Sequence, residues 1–268
     1  MTQAVSLLAA ATEGPTFHPP SIWDFFPPII AFEGTPFAFT RINLAQILAT
    51  VILVLVFWLG TRRLRMVPGR FQSLVEMGFG FVRGNIAHDL LGRKDGDRFL
   101  PILMTMFFMI LFMNLTGIIP GVNIAGTSVI AVPLLLALIS YGTFIYAGVK
   151  QSPKGFVRNS LFPSGIPVAL QWFVALLEFL STFIIRPVTL TLRLLMNMMV
   201  GHLMLVLFFS ATQFFVFGLS GWWSTLGVAT GAFGLAFTLF EVLVAVLQAY
   251  IFAVLTAVYI QLAVADEH

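Results

Sequence analysis

Two apolar stretches, residues 170–211 and 227–264, are far longer than a bilayer crossing needs, and nothing else constrains the fold as strongly. About 40 residues of helix extend ~60 Å at ~1.5 Å per residue. The hydrocarbon core of a bilayer is only ~30 Å thick. Such helices must tilt steeply, bend at Pro187, or both. The whole chain is 59% hydrophobic and 9% charged, where a soluble domain is nearer ~25% charged. It therefore reads as a polytopic membrane protein with one membrane domain. The net charge of +3 reflects where the loops fall rather than nucleic-acid binding. The lack of Cys excludes a disulfide framework, a thiolate metal site and a cysteine nucleophile. The four His are scattered without metal-ligand spacing, and no phosphate loop or nucleophile elbow is present. No cofactor and no metal site are expected.

The basic residues set the expected topology. Residues 1–40 carry no Lys or Arg, hold Glu13, Asp24 and Glu33, and are broken by five prolines from Pro15 to Pro28. They read as a translocated, extracytoplasmic N-terminal segment, with residues 41–268 forming the membrane domain. A first span covers about 43–60 and ends in Arg62, Arg63, Arg65 and Arg70, a cytoplasmic cluster. Residues 71–91 mix Phe71, Leu74, Val75, Phe79 and Val82 with Glu76, Arg83, His88 and Asp89. That mixture suits an amphipathic helix on the cytoplasmic surface. Arg93 to Arg98 read as a wet loop. Further spans cover about 99–119 and 127–149, and Lys150, Lys154 and Arg158 return the chain to the cytoplasm. The two long stretches follow, joined by the uncharged aromatic loop 217–223. The expected fold is all-α: five membrane segments plus an amphipathic surface helix, with the last two long, tilted helices forming an antiparallel hairpin.

Polar residues inside those long helices are the candidate functional set. Glu178, Arg186, Arg193, Asn197 and His202 lie on the first, and Glu241 and Gln248 on the second. An arginine at membrane depth costs several kcal/mol or more and stays protonated. Arg193 sits among Leu192, Leu194 and Leu195 with no acid within a helical turn. In an antiparallel hairpin, facing residues are equidistant from the turn. His202 with Glu241, and Arg193 with Gln248, both centre within about one residue of Gly221, the middle of the loop. Glu241 lies seven residues from Gln248, ~10 Å along the helix. It is thus a poor counter-ion for Arg193, which needs an acid from another subunit. On the last helix, Glu241, Gln248 and Tyr259 fall within ~20° of one azimuth. Asn197 shares the Arg193 face at i+4, while His202, nine residues on, points the other way. One surface can meet a partner while the other lines a cavity where a buried His and Glu relay protons. For Glu178 and Arg186 two readings stand: a helix-gluing pair, or part of an ion path.

Four motifs in order carry a resemblance. They are Val67-Pro-Gly-Arg-Phe-Gln with Glu76; Met113-Asn-Leu with Pro120; Arg186-Pro-Val-Thr-Leu-Thr-Leu-Arg-Leu with Asn197 and Gly201; and Leu247-Gln-Ala-Tyr-Ile-Phe-Ala-Val-Leu-Thr-Ala-Val-Tyr. From about Met66 onward the chain resembles subunit a of the bacterial F-type ATP synthase, the stator channel of its membrane sector. The resemblance implies that Arg193 is the essential arginine facing the ion-binding carboxylate of the c-ring, with Asn197 and Gln248 as its polar neighbours. It implies that His202 and Glu241 are the acid/imidazole pair of the extracytoplasmic half-channel, with acid and histidine exchanged between helices as in some branches. Glu178 corresponds to an acid before the basic-Pro pair, which in the family often sits one residue closer to it. Implied partners are the c-ring, the b subunits of the stator, the rest of the ATP synthase and the lipid membrane, here a bacterial inner (cytoplasmic) membrane. The subunit would move protons and would not itself be a catalyst. A rival reading, a polytopic secondary transporter with a midplane ion site, would usually show internal repeats and broken helix pairs. Neither is visible in the sequence.

Overall fold

Five helical segments are long and apolar enough to cross a bilayer: Arg41–Thr61, Arg70–Leu115, Ala131–Gln151, Leu170–Gly218 and Ser224–Val264. The computed structural model describes residues 29–31, 39–62, 67–119, 125–151, 168–218 and 221–264. Most of the N-terminal 40 residues, and with them the expected extracytoplasmic tail, lie outside the described residues. Two short strands from that region, β1 (Ile29–Ala31) and β2 (Phe39–Thr40), pair antiparallel with a register irregularity. Nothing in the Pro-broken sequence announces them.

Helix α1 (Arg41–Thr61) turns Ala45 and Ala49 inward and exposes Leu44, Ile47, Leu48, Val51, Val54 and Leu55. An outward apolar face is what a lipid-facing helix needs. α2 (Arg70–Val82) continues through a π-turn at Arg83–His88 into α3 (Asp89–Leu115). The break between surface helix and span falls at Gly92, whose φ of 73° lies in the left-handed region. The two limbs then approach so closely that a Cβ on Gly96 would lie 2.8 Å from the carbonyl oxygen of Ala87. Asp97 Oδ1 accepts from Arg83 Nη2 at 3.1 Å and contacts His88 Nε2 at 2.9 Å, tying the limbs together. The surface helix thus ends where expected. Arg93–Arg98, expected as a wet loop, instead forms the first turns of the second span. After one glycine turn, starting the next helix satisfies more backbone groups than an open loop would.

α4 (Ala131–Gln151) follows, shorter at its start than the expected 127–149. The residues ahead of it close a polar turn: Asn114 Oδ1 accepts from Thr127 Oγ1 at 2.6 Å, and Gln46 Nε2 donates to the Gly126 carbonyl at 2.9 Å. α5 (Val168–Phe179), a π-turn at Leu180–Ile185 and α6 (Arg186–Gln213) form one continuous segment, ending in a second π-turn at Phe214–Gly218. α7 (Ser224–Val264) returns antiparallel to it.

The broadest interface joins α3 to α7. On α7, Ala245, Ala249, Ala253 and Ala257 recur every four residues and are completely covered. Without a hydrophobic driving force between helices in lipid, such small residues let backbones approach and gain dispersion energy. Leu103, Met106, Phe107 and Ile110 of α3, with Leu190 and Leu194 of α6, join that face in the core. The opposite side of α7 exposes Leu239, Phe240, Leu243, Val246 and Leu247. The chain is therefore an all-α polytopic membrane protein whose two long helices lie side by side.

Candidate functional site

α6 has two chemically distinct sides. Leu190, Thr191, Leu194, Met198, His202 and Leu205 face the bundle at helical spacing and are buried. Arg193 and Asn197 lie on the exposed side. Among the described residues Arg193 makes no ion pair and no hydrogen bond. The guanidinium thus points out of the subunit without an acid partner among the described residues.

α7 supplies the facing groups. Glu241 and Gln248 are only 5% and 4% exposed, and His202 only 7%, which puts these polar side chains inside the seam rather than toward lipid. The Glu241 carboxylate lies directly over the α6 backbone: a Cβ on Gly201 would meet Glu241 Oε1 at 2.8 Å and Cδ at 3.4 Å. The missing side chain of Gly201 leaves that space to the carboxylate. Glu241 Oε2 is buried without a hydrogen-bond partner among the described residues. The acid therefore packs on α6 at Gly201, the residue before the buried His202, while Arg193 is exposed.

The hairpin register is legible in several contacts. Gly201 with Glu241, and Thr212 with Thr230, whose hydroxyls are 3.0 Å apart, both centre on Gly221. Asn197 Nδ2 donates to Gln248 Oε1 at 3.4 Å, a long bond whose centre is displaced by less than two residues. Gln248 was expected opposite Arg193; the amide is instead taken by Asn197, one helical turn on. Asn197 shares the exposed face with Arg193, and its carboxamide matches that of Gln248 donor-to-acceptor. Gly221 itself has a φ of 83°, the left-handed turn conformation on which the pair centres converge.

Nearer the basic end of the bundle, the Arg186 guanidinium stacks over the Tyr259 ring, 5.3 Å from its centroid. Glu178 is half-buried and forms no ion pair with Arg186 or any other described residue. The helix-gluing reading of that pair does not hold. Pro187 stands inside this continuous helical segment, where it has no N–H to donate to the preceding turn. The ladder departs from α geometry in the turn before it, at Leu180–Ile185, which contains the carbonyl of Phe183 that the missing N–H would have met.

Sequence reading passed over other polar contacts in the same bundle. Ser140 and Thr256 share a buried hydrogen bond of 2.8 Å between α4 and α7. Tyr141 has a buried hydroxyl without a partner among the described residues. The Thr212–Thr230 pair was discoverable, because both residues are equidistant from Gly221. The Ser140–Thr256 pair joins helices that are not adjacent in sequence and carried no such signal.

A profile of the ATP synthase A chain family matches residues 43–261. The chain belongs to that family. It is 45% identical to ATP synthase subunit a of Rhodococcus erythropolis, covering 100% of this chain and 96% of the relative. It is 34% identical to the subunit of the same name from Pseudarthrobacter chlorophenolicus, over 98% of this chain and all of the relative, and 34% identical to that of Streptomyces lividans. The family match spans α1 to α7, and so includes every residue of the seam as well as Arg193. In this ATP synthase A chain, then, the polar groups sort into an outward cation with its amide neighbour, and a buried acid and a buried imidazole on facing helices.

Proposed function

We propose that this chain is the stator proton-channel subunit of an F-type ATP synthase, passing protons through two offset half-channels to and from the carboxylates of a c-ring. The observation that carries the reading is the sorting of charge on α6 and α7. Arg193 faces out without an acid among the described residues, and Glu241 is buried against Gly201, the residue before the buried His202. An unpaired guanidinium at membrane depth requires a partner acid outside the chain, and a ring carboxylate supplies one. Its fixed positive charge stabilises the ionised ring carboxylate and separates the two half-channels against direct proton leakage.

In this reading protons arrive from outside past His202 and Glu241 and load a ring carboxylate, with Asn197 and Gln248 bridging the two faces. The ring turns, and protons leave toward the cytoplasm past Glu178. Each charge that crosses is driven by ~2.3 kcal/mol per 100 mV. Residues 1–40 lie outside the cell, residues 41–268 form the channel domain, and the membrane is the bacterial cytoplasmic one. The c-ring and the b subunits of the stator are the partners, and synthesis of ATP takes place elsewhere in the complex.

Replacing Arg193 with Ala tests this directly. ATP-driven proton pumping in inverted membrane vesicles should be abolished while the complex still assembles, because the side chain makes no contact that the fold needs. Lys should restore pumping only in part, being a compact, strongly hydrated charge rather than a planar fork. Normal pumping by Arg193→Ala vesicles would sink the proposal.

A further inference from the structure

Away from the seam, α3 and α4 form a groove at the Lys/Arg-rich end of the bundle. It encloses about 390 Å³ and is lined by Phe99, Ile102, Ile139 and Gly142, with Arg98 and Tyr146 beside them. Gly142 has nothing within 4 Å of where its Cβ would be, so the groove is open at that point. Ile139 and Tyr146 are exposed, on the face of α4 that also presents Leu135 and Leu138 outward. The lining is mostly apolar, the Thr143 hydroxyl being spent on the Ile139 carbonyl, and its outward face is that of a lipid-exposed helix.

Two cations stand over this apolar groove. The Arg98 guanidinium lies 5.0 Å from the Phe99 ring centroid and 5.7 Å from that of Tyr146. Lys150 Nζ donates to Tyr146 Oη at 3.2 Å and also lies over its ring. Neither cation has an ion pair among the described residues. Asp97, the acid next to Arg98 in sequence, is engaged by Arg83 and His88 instead. Tyrosine between them holds both cations in place without neutralising them.

From the charge left unpaired above an apolar groove, we infer that this groove binds an anionic phospholipid of the leaflet on the Lys/Arg-rich side. The phosphodiester lies between Arg98 and Lys150, and an acyl chain lies along Ile102, Ile139 and Gly142. An arginine fork matches phosphate oxygens in two bonds, and lysine adds a point charge. Free phosphate would use the cations alone and leave the groove empty, so the occupant is the lipid.

Titration of the purified, intact complex in mild detergent with pyrene-labelled phosphatidylglycerol tests the site. Each cation near an anionic head contributes about fivefold, so Arg98→Gln with Lys150→Gln should weaken binding about thirtyfold. Both side chains are exposed, and the double variant should assemble normally. Gly142→Trp, which fills the groove, should weaken the same lipid while leaving both cations in place. Lys94→Gln, an exposed cation at the same end, should leave affinity within twofold, and labelled phosphatidylcholine should be insensitive to the charge changes. Phosphatidylglycerol affinity unchanged in the double variant would overturn the inference. So would an equal loss with Lys94→Gln, which would mean diffuse surface attraction. Full displacement of the lipid by millimolar inorganic phosphate would show that the groove contributes nothing, and would overturn it too.

Discussion

Replacing Gly201 with alanine separates function from folding at the buried acid. The new methyl carbon would stand 2.8 Å from Glu241 Oε1, and ordinary contact begins at 3.4 Å, so the oxygen must move by about 0.6 Å. With Oε1 about 2.4 Å from Cγ by standard bond lengths, that is a rotation of about 15°. A 30° departure from a rotamer costs about 0.5–1.5 kcal/mol, and the cost falls roughly as the square, so the strain is about 0.1–0.4 kcal/mol. Removing a glycine from a helix interior returns about 0.5–1 kcal/mol. The variant should therefore be as stable as the parent or slightly more so. A proton relay does not tolerate the same movement, because transfer depends on donor–acceptor spacing, and we expect pumping to fall about tenfold per assembled complex. Glu241→Asp withdraws the carboxylate by one methylene, so in the Gly201→Ala background it should relieve the contact. Its effect there should be smaller than in the parent, a coupling that a double-mutant cycle resolves. The assay is ATP-driven acidification of inverted vesicles, normalised to complex quantified on native gels. Unchanged pumping in Gly201→Ala, together with additive effects of the two changes, would refute the reasoning. An unassembled complex would contradict the strain estimate.

Two further outcomes test the arrangement as a whole. Single cysteines introduced into this Cys-free chain should be labelled from the cytoplasmic side at Lys94 and from the outside at Trp222; labelling of position 94 from outside only would reverse the topology. Removing His202 or Glu241 singly should impair pumping, and exchanging them should restore part of it, since the pair needs one acid and one imidazole; zero coupling in the cycle would count against a shared inlet.

What the sequence disclosed, it disclosed through period and charge. The long apolar runs gave the two antiparallel helices, and the midpoint of their polar pairs gave the register, because facing residues on a hairpin must be equidistant from its turn. Gly221, with its left-handed φ, is that midpoint. The Lys/Arg clusters placed the surface helix, whose end at Gly92 could be read from the shift to consecutive charges. The missed features have a common physical cause: they depend on azimuth and contact, which composition does not carry. Arg93–Arg98 looked like loop because it is charged, yet a helix emerging from a membrane keeps its backbone bonds through a wet turn. Gln248 was assigned to Arg193 because the register tolerates one turn. The choice of Asn197 follows from which side chain of that exposed face lies within reach of the buried amide. The packing of Glu241 on Gly201 was invisible, since a glycine within an apolar run signals close approach without saying of what.

The π-turn before Arg186 bears on the one place where this chain departs from the family pattern it resembles. Glu178 stands one residue farther from the Arg-Pro pair than the family's acid often does. In a regular α-helix an added residue rotates everything before it by about 100° and would carry Glu178 onto another face. A π-turn closes its hydrogen bonds from i to i+5, so it takes up one extra residue with little change in azimuth. Such a turn spans Leu180–Ile185, between Glu178 and Arg186. On that resemblance the irregular ladder takes up the extra residue, and Glu178 is expected to keep the face it would otherwise lose. Deleting Leu180, whose side chain is exposed, should convert the segment to regular α-helix and leave Glu178 aligned with Arg193. Pumping should then remain within about threefold of the parent. Deleting Val200, equally exposed but inside the regular α ladder, has no slack to draw on. It should swing His202 about 100° away from its place relative to Arg193 and abolish pumping in assembled complexes. If the Leu180 deletion were as inactive as the Val200 deletion, the π-turn would not be compensating for the added residue, and the placement of Glu178 on the outlet path would lose its support.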